Sequence, residues 1–96
     1  MVKVGLYVRL HAAPGREGDV AGLLEQAREL VEAEPGTTVW YALQFDDSTF
    51  GIFDAFEDES GREAHLNGAV AQALGDHADL FAESPSIEQV DVLASK

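Results

Sequence analysis

The chain has 96 residues, which suits a single compact domain spanning residues 1–96. Its 18 acidic residues outnumber its 6 basic ones and leave a formal net charge of −12, which disfavours binding to nucleic acids and anionic membrane surfaces, since both need clustered Lys and Arg. The absence of cysteine excludes disulfides, thiolate nucleophiles and cysteine-ligated metals, and the 46% hydrophobic content excludes a disordered chain.

The first predicted element is a strand over the N-terminal residues, where apolar and other side chains alternate with the two-residue period of a strand. One face is apolar from Val2 to Leu10, and we expect helices to cover it. The other face carries Tyr7, Arg9 and His11 in a row. This combination is unusual for a face that meets only water, so we expect it to contact another surface.

The next predicted elements are a helix and a two-stranded hairpin. Valine, leucine and alanine recur at three- and four-residue spacing over residues 16–33 and predict a helix, which Pro35-Gly36 ends. Residues 37–45 are rich in β-branched and aromatic side chains and predict a second strand. The turn formers at residues 46–48 connect it to a third strand at residues 49–56, which we expect to pair with it as a hairpin.

The second half of the chain predicts helices and then a strand. Residues 60–83 have helical spacing, but Gly68 and Gly75 each cost about 1 kcal/mol of helix stability relative to alanine, so we expect two short helices. Their shared stripe is formed by Val70, Leu74, His77 and Phe81. Residues 87–93 predict a last strand.

The junction between the third strand and the following helix carries the candidate site. Ser60 and Glu63 have the spacing of a capping box, which predicts the helix start there. His65 would then lie one turn into this helix, beside the end of an aromatic-rich strand. An imidazole in that position is a candidate lining for a small-molecule pocket.

The order strand, helix, strand, strand, helix, strand is that of the ferredoxin-like split-βαβ sandwich, an α+β fold with one antiparallel sheet and helices on one of its faces. The other face stays bare, and here it carries apolar and aromatic groups, which usually mark an interface. We therefore expect a homodimer in which two copies stack sheet to sheet and close a dimeric α/β barrel.

No segment predicts export or membrane insertion. The N-terminal residues lead directly into the first strand and lack the pattern of a signal peptide. No apolar run approaches the roughly 20 residues that span a membrane. We therefore expect a cytoplasmic protein without membrane partners.

Three stretches together resemble the antibiotic biosynthesis monooxygenase (ABM) domain family. They are Ala33-Glu34-Pro35-Gly36 before the second strand, residues 50–56 at the end of the hairpin, and Ala64-His65-Leu66 in the next helix. The resemblance covers nearly the whole chain and implies a homodimeric α/β barrel that oxygenates quinol-like or polycyclic aromatic molecules without metal or flavin. The chain departs from the family pattern at Asp54, where glutamate is usual, and at Phe56, where tryptophan is usual.

A cofactor-independent oxygenase needs a base that removes a phenolic proton, a dry apolar pocket and donors that hold the ring. His65 is the candidate base, because its intrinsic pKa lies near neutrality, and Asp54 is a second candidate catalytic residue. The candidate substrate-binding residues fall into two groups. The aromatic side chains that could form the pocket walls are Trp40, Tyr41, Phe53 and Phe56, and those that could orient a substrate oxygen are Tyr7 and Arg9. We therefore hypothesise a monooxygenase, an oxidoreductase, for an aromatic or quinol-type small molecule.

Each of these residues also has a structural interpretation. His65 could hydrogen-bond Asp54 and shape the contact between sheet and helix, the aromatic rings could be core, and Arg9 could serve the dimer contact. Two alternative functions on the same fold therefore stay open. One is a non-catalytic dimeric binder of a hydrophobic metabolite, and the other is an isomerase or degradative enzyme for a small diketone.

Metal, nucleotide and hydrolase chemistry lack support in the sequence. His11, His65 and His77 do not have the three- or four-residue spacing that places two ligands on one helical face. No Walker loop, Rossmann glycine pattern or serine nucleophile elbow is present. We expect no metal site and no cofactor.

Overall fold

The computed structural model describes all 96 residues and shows a four-stranded antiparallel sheet with helices on one face. The strands are β1 (Val4–His11), β2 (Val39–Gln44), β3 (Thr49–Phe56) and β4 (Ser86–Asp91), and the helices are α1 (Glu17–Glu32), α2 (Glu59–Leu66) and α3 (Ala69–Asp76), with a 3₁₀ turn at Ala78–Leu80. The strand order β2-β3-β1-β4 confirms the predicted ferredoxin-like α+β fold. Within one chain the sheet is open and does not close into a barrel.

The core lies between the sheet and the helices, on the face that the sequence pattern predicts. Leu6, Val8 and Leu10 of β1 are buried, and Val8 and Leu10 pack in one cluster with Val20 and Leu24 of α1. The alternation in β1 therefore decides which side of the sheet α1 covers, because a one-residue shift would turn the apolar row toward the open face.

The opposite face of the sheet carries no helix, and we call it the open face. Strand pairing places Tyr41 of β2 beside Phe53 of β3, and Phe53 beside Tyr7 of β1. Tyr41 and Phe45 expose 58% and 48% of their surface on this side. The predicted bare apolar face is thus present in the single chain.

The start of α2 differs from the predicted capping box. The helix begins at Glu59, and its N-cap is Asp58, whose carboxylate accepts hydrogen bonds from the Gly61 backbone N–H at 3.2 Å and from the Ser60 hydroxyl at 2.5 Å. The predicted Ser60–Glu63 capping box is therefore wrong. The carboxylate of Asp58, two residues before Ser60, accepts the backbone hydrogen bond of the first turn instead, and it lies at the positive end of the helix dipole. The predicted division into two short helices is confirmed, with the break at Asn67-Gly68.

None of the helices combines the length and the apolar character that a membrane-spanning helix needs.

Candidate functional site

Three ionisable side chains from separate parts of the chain meet between the sheet and α2. Glu34 follows α1, Asp54 belongs to β3 and His65 lies in the last turn of α2. His65 Nδ1 is 2.5 Å from Glu34 Oε1, and His65 Nε2 is 3.0 Å from Asp54 Oδ2. We call this arrangement the Glu34–His65–Asp54 triad. His65 lies one turn into α2, as predicted, but this position is already the last turn, because the helix has only eight residues.

The alternation of β3 places Asp54 on the helix-covered face. Its neighbours across the sheet are Leu6 on β1 and Trp40 on β2, and it is only 1% exposed. A carboxylate in such a position needs a partner, since an unpaired buried charge is strongly unfavourable. His65 supplies that partner, so the strand and the helix bring these two residues together.

Close backbone contacts between the segment after α1 and helix α2 bring Glu34 next to His65. A Cβ atom on Gly61 would lie 2.7 Å from the Gly36 carbonyl oxygen, and one on Gly68 would lie 2.9 Å from Glu34 Oε2. Glycine at both positions therefore lets the segment after α1 pack directly on α2. Arg62, buried on α2, donates to the carbonyls of Gly5 and Val90 at 3.2 Å each and fixes this helix to the sheet.

We expect Gly61→Ala to lower the free energy of unfolding by about 1–3 kcal/mol, because the added methyl group overpacks a backbone contact that has no room to yield. In Gly22→Ala, a matched control within α1, the new Cβ meets nothing within 4 Å, so the same change should stabilise by about 0.5–1 kcal/mol. Urea denaturation measures both changes. A Gly61→Ala protein as stable as Gly22→Ala would contradict the close approach.

The triad favours the charged form of its histidine. Hydrogen bonds to both carboxylates require a proton on each ring nitrogen, which only the imidazolium carries. Burial lowers the pKa of His65, but the hydrogen bonds and negative charges of Asp54 and Glu34 outweigh it and raise the pKa above its ordinary value. The carbonyl end of α2 also favours a cation in its last turn.

A cavity of about 460 Å³ lies beside the Asp54 end of the triad. Its walls are apolar side chains of the sheet, α3 and the segment after it, among them Leu6, Val8, Ile52, Val70, Leu74 and Phe81. Asp54 and His65 are its buried polar groups, whereas Glu83 and Ser84, which also line it, are exposed. The volume and the apolar lining are typical of small-molecule sites.

The two oxygens of Asp54 have different environments. Oδ2 is paired with His65, whereas Oδ1 is buried and receives no hydrogen bond from the protein. An ionised carboxylate only accepts hydrogen bonds. Asp54, which lines a largely apolar cavity, therefore has one carboxylate oxygen whose acceptor capacity is unused.

Four of the predicted substrate-binding residues lie on the open face, across the sheet from His65. They are Tyr7, Arg9, Tyr41 and Phe53. The Arg9 guanidinium donates to the Tyr7 hydroxyl at 3.1 Å and lies 4.8 Å from the centre of the Phe45 ring. They therefore do not line the cavity beside His65, because the two-residue period of the strands turns them to the opposite side. A ligand-binding role for them stays a prediction.

The other two predicted wall residues are on the correct side of the sheet but do not line the cavity either. The Phe56 ring is fully buried and packs against the His65 ring with a centroid distance of 5.5 Å. Trp40 packs against the core, and its buried Nε1 has no hydrogen-bond partner. The walls come instead from the apolar face of the sheet, from α3 and from the segment after it. The part from α3 was signalled in the sequence by the apolar stripe containing Val70 and Leu74.

The triad does not resemble a metal site. The imidazole separates the two carboxylates, and no cluster of three or more His, Asp or Glu side chains is arranged to hold a metal ion.

Neither a scan against protein-family models nor a search of curated proteins finds a match. Among solved structures, the NE2512 protein of Nitrosomonas europaea, whose function is unknown, is 54% identical with a TM-score of 0.97 over 100% of this chain and 94% of that chain. A candidate antibiotic biosynthesis monooxygenase from the same organism is 19% identical, with a TM-score of 0.85 over 95% of this chain and 99% of that chain. One from Deinococcus radiodurans is 16% identical, with a TM-score of 0.83 over 97% and 95%. The chain therefore belongs to the family of NE2512 and, as the sequence resemblance predicted, has the fold of the antibiotic biosynthesis monooxygenases.

Proposed function

We propose that this protein is a cofactor-independent monooxygenase that oxidises an aromatic, quinol-type small molecule in the cavity beside Asp54. The observation that carries the proposal is the unpartnered Oδ1 of a buried carboxylate in an apolar cavity of about 460 Å³. A fixed carboxylate accepts the proton whose removal makes the ring electron-rich. Apolar walls keep water away from the reactive species that follow.

The proposed reaction uses dioxygen as both the oxidant and the source of the inserted atom. Asp54 removes a proton from the substrate hydroxyl, and the resulting anion gives one electron to dioxygen. The substrate radical and superoxide then form a carbon–oxygen bond, and the peroxide takes the proton back from Asp54. Loss of water from the hydroperoxide leaves a carbonyl at the oxygenated carbon. Counted from the keto tautomer of the substrate, a ring CH₂ and O₂ become C=O and H₂O.

Within this mechanism we assign the base to Asp54 and revise the hypothesis that His65 is the base. Both nitrogens of His65 already face carboxylates, and its raised pKa favours the form that has no lone pair to offer. His65 instead orients Asp54 and stabilises its negative charge. Glu34 holds the other side of the imidazole.

The test is oxygen uptake by the purified protein with a panel of hydroquinones and anthrones, followed by mass analysis of the products under isotopically labelled dioxygen. We expect one labelled oxygen atom in each product molecule. No uptake with any member of the panel would contradict the proposal.

The same assay separates a second candidate function. A carboxylate with a free acceptor oxygen is also what removal of a proton next to a carbonyl requires, as in an isomerase or degradative enzyme for a small diketone. Such an enzyme would change its substrate without incorporating labelled oxygen. Binding without any conversion would indicate a non-catalytic binder of a hydrophobic metabolite.

We also propose that two copies associate through the open face and close a dimeric barrel. Its exposed side chains include Tyr41, Leu43 and Phe45, and burying them would remove apolar surface from water. Arg9 and Tyr7 would then lie at the interface.

We expect Tyr41→Glu to weaken this dimer at least about tenfold, because a carboxylate would be buried against a second acidic copy. Leu30→Glu is the matched control, since Leu30 is an exposed apolar residue of α1 on the other side of the molecule and should leave the dimer intact. Analytical ultracentrifugation measures both variants. A monomeric wild-type protein, or equal effects of the two substitutions, would contradict the proposed interface.

A further inference from the structure

The buried end of the cavity offers hydrogen-bond acceptors but no donor. Both ring nitrogens of His65 are committed to carboxylates, at 2.5 Å to Glu34 and 3.0 Å to Asp54. Asp54 also lines the cavity, and its second oxygen, Oδ1, is buried without a partner and can only accept a hydrogen bond. A ligand that reaches this end can therefore donate a hydrogen bond to Asp54, but neither of the two buried polar side chains has a free donor for the ligand.

The charge at this end is also one-sided. Two carboxylates and one imidazolium leave one net negative charge, and the neighbouring walls are apolar. The other charged group in the lining is Glu83, which is again acidic. An anionic ligand would add a third negative charge to a site of low dielectric, where repulsion is strong.

We propose that Asp54 makes this cavity select a neutral aromatic ligand through a hydroxyl hydrogen, and reject both anions and rings that carry only acceptors. The inference rests on the proposed function only in taking this cavity as the substrate site. A ring hydroxyl donates to Oδ1 and satisfies it. A carbonyl or ether oxygen at the same place leaves two buried acceptors facing each other without a proton between them, which is unfavourable for both.

This selectivity has a direct consequence for turnover. In the proposed oxidation the hydroxyl that donates to Asp54 becomes a carbonyl, which only accepts. The product thereby loses the hydrogen bond that held the substrate and gains a repulsive contact in its place. The site thus binds the reduced form of the ring and releases the oxidised form.

The test is equilibrium binding of three matched naphthalenes under nitrogen, so that no oxidation occurs: 1-naphthol, 1-methoxynaphthalene and 1-naphthoate. We expect wild-type protein to bind the naphthol at least about tenfold more tightly than the methyl ether, which corresponds to the loss of one hydrogen bond and an unpaired acceptor. The naphthoate should bind most weakly. Equal affinities for naphthol and ether, or no binding of any of the three, would overturn the inference.

Variants then assign the preference to one residue. Asp54→Asn keeps the shape of the side chain but supplies an amide that can donate, so the preference for naphthol over the ether should disappear. Glu25→Gln, which removes an exposed carboxylate of α1 outside the cavity, should keep it. A preference that survives in Asp54→Asn would overturn the assignment, and the wild-type comparison decides the inference even if this variant does not fold.

The outcomes separate this inference from the proposed function. A strong preference for naphthol without oxygen uptake on any quinol would support the binding rule and contradict the monooxygenase. Oxygen uptake without a preference for naphthol would support the monooxygenase and contradict the binding rule.

Discussion

Replacing Asp54 by asparagine is expected to lower kcat for oxygenation of a responsive quinol by about 10²–10⁴-fold, the usual contribution of a positioned general base. The amide keeps the volume of the carboxylate and its place between Leu6 and Trp40, but it cannot take a proton from the substrate. The loss should appear in kcat more than in KM, because the apolar walls still bind the ring. Initial rates of oxygen consumption across a range of substrate concentrations measure both parameters.

The control for this substitution is Glu25→Gln, which removes an exposed carboxylate of α1 outside the cavity and should leave the rates within about twofold. The pH dependence distinguishes Asp54 from His65 as the base. A neutral His65 base would lose activity as the pH falls through its raised pKa, whereas an Asp54 base paired with the imidazolium stays active there. Full activity of Asp54→Asn, with rates that follow the neutral form of His65, would reverse the assignment.

The fold could be predicted from the sequence because its signals are local. The alternation in β1 and β3 decides which side chains face the helices, and Pro35-Gly36 and Gly68 mark where helices end or break. The pairing of Asp54 with His65 could be predicted for the same reason, because β3 leads directly into α2.

The rest of the site depends on contacts between distant parts of the chain. Glu34 stands 31 residues before His65, and close contacts of its segment with Gly61 and Gly68 bring the two together. The Ala33-Glu34-Pro35-Gly36 stretch was noted as a motif, but no local pattern shows what its glutamate contacts. The aromatic walls were misplaced for a related reason: ring-bearing residues such as Tyr41 and Phe53 suggest a pocket, while the register turns them to the open face.

Replacing His65 by alanine is expected to lower the free energy of unfolding by about 3–5 kcal/mol, the usual effect of removing one member of a buried ion pair. The cost arises because Asp54 and Glu34 lose the cation between them and remain as two buried or partly buried negative charges. Urea denaturation near neutral pH measures it. His11→Ala, which removes a partly exposed histidine 3.8 Å from Glu83, should change stability by no more than about 0.5 kcal/mol.

The free energy of unfolding should also depend on pH, and the two carboxylates determine whether it rises or falls with pH. The pKa of His65 in the folded protein is raised above its ordinary value of 6.5, so the native state holds the proton more tightly than the unfolded chain. The stability that the protonated His65 contributes to the folded protein is complete below pH 6.5 and is lost as the pH rises through the raised pKa.

In the double variant Glu34→Gln/Asp54→Asn the attraction is gone while the burial remains, and burial lowers the pKa of an imidazole. The stability that depends on His65 should then fall as the pH decreases through the unfolded value, which is the opposite slope. Unfolding free energies from about pH 5 to about pH 9 at constant ionic strength, together with an NMR titration of the His65 ring, measure both slopes. Equal slopes in the two proteins would show that the carboxylates do not hold the imidazolium, and the role assigned to His65 as the cationic partner of Asp54 would fail with them.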